Sequence, residues 1–146
     1  TLLNAPISLA AIHGGMEPLA QGREVCGPYQ GVVAVARADW LKTRPETALA
    51  YARSLRDALG WLANPQNRPA ACALLAQRAP RLAAVADIAW DVLVAGRGLN
   101  RDLTIDRAGV SSVIALRNRY GGAMAVADDP GLYCDGTVLG RLAADG

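Results

Sequence analysis

The chain has 146 residues, 52% of them hydrophobic and 19% charged, with a formal net charge of +2. That balance supports a packed core and excludes a disordered polymer. The basic residues form no dense block that would mark a nucleic-acid surface, and no apolar run reaches the roughly 18–20 residues of a membrane span.

Thr1-Leu2-Leu3-Asn4 reads as the tail of a buried strand. With no initiator Met and no signal-peptide pattern, more sequence is expected upstream. Pro6 suits the first turn of a helix, and Ile7, Leu9, Ala10 and Ala11 form a short one closed by Gly14-Gly15. Pro18-Leu19-Ala20 reads as a brief strand, and Gln21 to Pro28 as a loop rich in turn formers. Tyr29 to Ala36 is the clearest strand, a continuous apolar run with β-branched residues, of the kind buried on both faces of a helix-covered sheet.

The remainder reads as helix. Ala48, Ala52, Leu55, Leu59 and Leu62 fall on one stripe, ended by Asn64-Pro65. Further helices are expected over Ala70 to Ala79 up to Pro80, and over Leu82 to Ala95, stopped by Gly96. A fourth carries Ile105, Gly109, Val113, Leu116 and Tyr120 before Gly121-Gly122, and a last short one covers Thr137 to Ala143. Aromatics are only 5% and Phe is absent, so the core must be Ala, Leu, Val and Ile, which suits closely packed helices.

No catalytic set assembles from the residues that carry chemistry. His13 is the only histidine and fits a helix C-terminus. Ser8, Ser111 and Ser112 lack a nucleophile-elbow context, and Asp128-Asp129 before Pro130 starts a turn. Cys26, Cys72 and Cys134 have no metal-ligand spacing. They are either three free thiols or one disulfide and a spare thiol. Trp40, Trp61 and Trp90 read as helix-packing residues. We therefore expect no enzyme, no metal and no cofactor. The one candidate binding site is Asn4-Ala5-Pro6-Ile7, where a strand end meets a helix N-terminus. Ligands in open α/β sheets bind at such places, and an ordinary capped turn is the equal alternative.

Several segments, in order, resemble the nitrate/sulfonate/taurine and thiamine-pyrimidine family of ABC-importer substrate-binding proteins. Leu2 to Ala10 is similar to the family's strand, polar residue–Pro, helix segment near the second interlobe crossing. Gly27 to Leu41 resembles its strand running into an Asp-Trp-Leu helix start. Pro45-Glu46 and Ala58 to Arg68 look like the next helix and its Asn-Pro-x-Asn-Arg link, and Tyr133 to Leu139 like its near-terminal Tyr-x-Asp-x-(Ser/Thr)-x-Leu segment.

The resemblance implies an α/β fold, the C-terminal portion of a type 2 periplasmic binding protein, with few strands followed by a mostly helical segment. Residues 1–146 are then a single, partial solute-binding domain, with 1–37 a strand and turn segment after the interlobe crossing and 38–146 helical. It implies a periplasmic location, a small-molecule ligand and an ABC permease as partners, and no nucleic acid. Relatives place polar and aromatic side chains around the position of Pro6. Ala5 and Ile7 here point to a less charged ligand, or to recognition dominated by the part of the protein upstream, with Asn4 the best hydrogen-bonding candidate. The alternatives are a ligand-sensing effector domain of a transcription regulator, which needs a DNA-binding helix pair, and a thiamine-pyrimidine synthase-like enzyme, which needs a His and Cys-rich iron site. Because the strand at 29–36 needs neighbours for its backbone groups, two copies are expected to pair through exposed strand edges.

Overall fold

Pro and Gly divide the chain into short helices in the computed structural model, which describes residues 2–96, 98–122 and 124–144. In order these are α1 (Ile7–His13), α2 (Gly22–Cys26), α3 (Ala38–Thr43), α4 (Pro45–Ala63), α5 (Arg68–Arg78), α6 (Ala86–Trp90), α7 (Arg107–Tyr120) and α8 (Thr137–Ala144). Short 3-10 turns at Pro65–Asn67, Pro80–Val85 and Pro130–Leu132 each begin on a proline, which has no N–H to satisfy at a helix start.

The contacts define two units, one of Thr1–Leu19 with Leu55–Asp102, the other of Ala20–Ser54 with Leu103–Gly146. Helix α4 runs from the second unit into the first. In the first unit α5 packs on the Pro80–Val85 turn and on α6, and α1 packs on the same turn. Val85, Ala86, Ala89, Trp90 and Val94 are buried there, so Trp90 is a packing residue as its helical position suggested. The stretch 82–95 forms no uniform helix. It passes from the 3-10 turn through α6 into a π-type turn at Asp91–Ala95. Gly96 ends it, where a Cβ would come within 2.8 Å of the Val92 carbonyl oxygen.

In the second unit Leu49 and Ala52 of α4 and Leu142 of α8 form the buried cluster, with Leu103, Val138 and Leu139 packed around it. Helix α7 starts on Asp106, whose carboxylate accepts the Ala108 amide at 3.0 Å. The Asp106 amide donates to Gln30 Oε1 at 3.0 Å. Gly109 then allows α7 to lie directly on the chain at Tyr29–Gln30, because a Cβ would meet the Gln30 nitrogen at 2.7 Å. On the same helix the deepest side chain is Ile114, at 5% exposure, while Tyr120 is exposed.

The α/β expectation is overturned. Of the described residues 65% are helical and none lies in a strand, so the fold is all-α. Leu2-Leu3, Pro18–Ala20 and Tyr29–Ala36 are irregular, not strands. The physical reason is pairing: a strand satisfies its backbone only against a neighbour, whereas a helix closes its hydrogen bonds within itself. Gln21 to Pro28 departs the other way. Residues 22–26 are helical, and Glu24 reaches back to accept the Gln21 amide at 3.3 Å.

Candidate functional site

The segment Asn4-Ala5-Pro6-Ile7 forms the turn that enters α1. The Asn4 carbonyl accepts the Ser8 amide at 3.0 Å, and the Pro6 carbonyl accepts that of Ala10 at 3.2 Å. Ala5 and Pro6 are half-buried, whereas Asn4 is exposed and Ile7 is 58% exposed. The four residues stand together at one helix entrance, but they line neither of the two cavities described next.

The larger cavity is a groove of about 320 Å³ in the second unit, lined by Ala38, Leu41 and Lys42 of α3, Pro45 and Leu49 of α4, and Asp135, Thr137, Val138 and Arg141 at α8. Its walls follow from local chemistry. Arg37 clamps Asp39 through two hydrogen bonds, at 3.0 and 2.7 Å, and Asp39 also accepts the Trp40 amide at 2.9 Å. The guanidinium of Arg37 holds the Asp39 carboxyl below its ordinary range. This fixes the first turn of α3, and Pro45 restarts the chain as α4. Across the groove, Asp135 caps α8 by accepting the Thr137 amide at 2.8 Å. The Thr137 hydroxyl, and then its amide, keep the Asp135 carboxyl below the usual value and therefore charged.

The floor is apolar, from Leu41, Leu49 and Val138, and the rim carries Lys42, Arg141 and Asp135. Arg141 is engaged by Glu46, Nη2 to Oε1 at 2.6 Å. Lys42 has no ion pair among the described residues, so it is the cation left open to a ligand. Chemically the groove can hold a small molecule with an apolar body and one acidic group.

A second polar cluster lies in the first unit. Arg68 bonds Asp87 at 3.1 Å and Asp91 at 2.9 and 3.2 Å, tying α5 to α6 and the turn after it. Cys72 sits beside it, its sulfur 3.8 Å from Asp87 Oδ1. Burial, then the Asp87 charge, pushes its thiol above the ordinary value, so it stays protonated and is a poor nucleophile. The smaller cavity, of about 10 Å³, lies in this unit between Leu59, Leu62, Leu93, Val94, Leu99 and Arg101 and is too small for anything beyond one water.

Of the other residues considered, His13 is exposed at the end of α1, and the Ser112 hydroxyl donates to the Ala108 carbonyl at 3.2 Å. Asp129 caps the Pro130–Leu132 turn by accepting the Gly131 amide at 2.8 Å. Cys26, Cys72 and Cys134 are free thiols. The sequence reading did not single out Lys42 or Arg141. The Asp-Gly-Thr run at residues 135–137, a helix-capping pattern, was the signal that would have placed the α8 wall. Compared with protein-family models, curated proteins and solved structures, the chain finds no match.

Proposed function

We propose that the chain binds a small amphipathic solute in the groove of the second unit, as the solute-binding component of an ABC importer acting in the periplasm. One observation carries this reading. Three separated segments that resemble the importer-binding family supply the walls of one groove: Ala38 and Leu41 from the first, Pro45 from the second, and Asp135, Thr137 and Val138 from the third. Its volume, about 320 Å³, is at the lower end of ligand pockets, and an apolar lining with a few placed polar groups is their usual character. The all-α fold removes the hinged α/β scaffold from the argument, so the reading rests on the groove and the resembling segments. Lys42 is assigned to the solute's acidic group, and Leu41, Leu49 and Val138 to its apolar body.

The test is native mass spectrometry of the purified chain against a panel of short aliphatic carboxylates, with the matching amines as controls. A retained carboxylate adduct that weakens at least tenfold in Lys42→Ala supports the reading. Equal retention of amines and carboxylates, or an adduct indifferent to Lys42, contradicts it.

A further inference from the structure

Three charged side chains line the groove of the second unit, and one of them is already answered: Arg141 is held by Glu46, Nη2 to Oε1 at 2.6 Å. The other two are Lys42, in the last turn of α3, and Asp135, just before α8. Among the described residues neither stands in an ion pair, with the other or with a third group. Asp135 accepts from Thr137, its amide at 2.8 Å and its hydroxyl. An ionised carboxylate has about four lone-pair sites, so much of its accepting capacity is open. Capping α8 does not require the charge, because Asn caps a helix about as well as Asp. The groove thus sets an open cation and an open anion on different elements. With the Arg141–Glu46 pair neutral, these two charges balance.

Depth gives the second observation. Leu49 is 1% exposed and Leu41 and Val138 are half-buried, whereas Lys42 and Asp135 are exposed. Both open charges therefore stand at the rim, above an apolar floor. A plain carboxylate answers Lys42 but adds a negative charge to a rim where Asp135 already repels it. An amine alone finds an anion partly spent on Thr137. A molecule with its charges at opposite ends must lay its apolar chain along the rim, off the floor. The arrangement is complementary to a solute with both charges at one end and an apolar tail at the other. Resting on the reading of this groove as a solute site, we propose that its ligand is a small aliphatic α-amino acid. Lys42 takes the carboxylate, Asp135 the ammonium, and Leu41, Leu49 and Val138 the side chain. The groove volume, about 320 Å³, is at the lower end of ligand pockets and keeps that side chain short.

Three five-carbon probes test the assignment on the intact chain by calorimetric titration at neutral pH: norvaline, pentanoate and 5-aminopentanoate. Norvaline is expected to bind at least tenfold more tightly than pentanoate, and more tightly than 5-aminopentanoate. Asp135→Asn keeps an acceptor for the Thr137 amide, and Asp135→Ser supplies a second capping residue. Both should abolish the advantage of norvaline while pentanoate binds as well as before or better, which also shows that the groove is intact. Preference for 5-aminopentanoate, a norvaline advantage that survives both variants, or loss of pentanoate together with norvaline in both would each overturn the proposal. The two readings fail separately. Pentanoate bound through Lys42 with no advantage for norvaline overturns the amino-acid assignment alone. No binding of any probe removes the groove as a solute site, and the assignment with it.

Discussion

Arg141 on α8 reaches Glu46 in the first turn of α4, Nη2 to Oε1 at 2.6 Å, across 95 residues of sequence. The pair joins two walls of the groove at its rim. Both side chains are well exposed, 42% and 74%, so water screens the attraction. We expect Glu46→Gln to change stability by less than about 1 kcal/mol, measured by urea unfolding. The same change releases a cation at the rim, so binding of a small carboxylate should strengthen. Weaker carboxylate binding would show that Glu46 holds Arg141 in the productive position.

The core of the second unit is small, and single residues in it carry much of its stability. Leu49 is 1% exposed within the cluster of Ala52 and Leu142. Leu49→Ala should cost about 2–5 kcal/mol by lost burial and an unfilled cavity, read as a fall in the thermal midpoint. A change under about 1 kcal/mol would place the core elsewhere.

Two glycines should respond in opposite directions. At Gly109 a Cβ would sit 2.7 Å from the Gln30 nitrogen, whereas at Gly60 nothing lies within 4 Å. Gly109→Ala should push α7 off the backbone at residues 29–30 and destabilise by about 1–3 kcal/mol. Gly60→Ala, in the last turn of α4, should stabilise by up to about 0.5–1 kcal/mol through helix propensity. Equal effects in calorimetric melts would contradict the close approach at Gly109.

How much was legible in the sequence divides along the same physical line. The helices α4, ending at Asn64-Pro65, and α7, ending at Gly121-Gly122, were readable because stripe and stop lie within a few residues, although Ile105, read as part of the α7 stripe, lies before the helix starts at Arg107. Tyr29–Ala36 was misread because β-propensity reports how a residue fits a sheet, and a sheet needs partners that propensity does not supply. The groove was half legible. Asp135, Thr137 and Val138 lie in a segment already noted for its resemblance, but Lys42 and Arg141 looked like ordinary surface charges. Only the packing of α3, α4 and α8 brings them to one rim. Asn4–Ile7 was readable as a strand-to-helix turn and is in fact the entrance to α1.

The acid response of Asp135 follows from its cap. The Thr137 hydroxyl and amide lower its folded value below the ordinary 3.8. Its contribution is therefore fully present above 3.8 and fades as pH falls through the lower folded value. Asp135→Asn should be less stable than wild type at neutral pH, and the gap should close in acid. A gap that is constant with pH would assign the loss to shape rather than charge.

Cys72 should be the slow thiol. Burial and Asp87 keep it protonated, so its alkylation at mildly alkaline pH should lag that of a model peptide thiol. Asp87→Asn should speed it, as read by mass-spectrometric labelling. Wild-type labelling at the peptide rate would mean that the Arg68 charge outweighs both.

The central claim is that the groove of α3, α4 and α8 binds a small acidic solute, and amide resonances of the isotope-labelled chain test it most directly. On titration with a short aliphatic carboxylate, the account predicts saturable shifts at Ala38, Leu41, Lys42, Val138 and Arg141, absent with the matching amine and lost in Lys42→Ala. Shifts confined to Asn4, Ala5 and Ile7, or no saturable shift with any carboxylate tried, would contradict it.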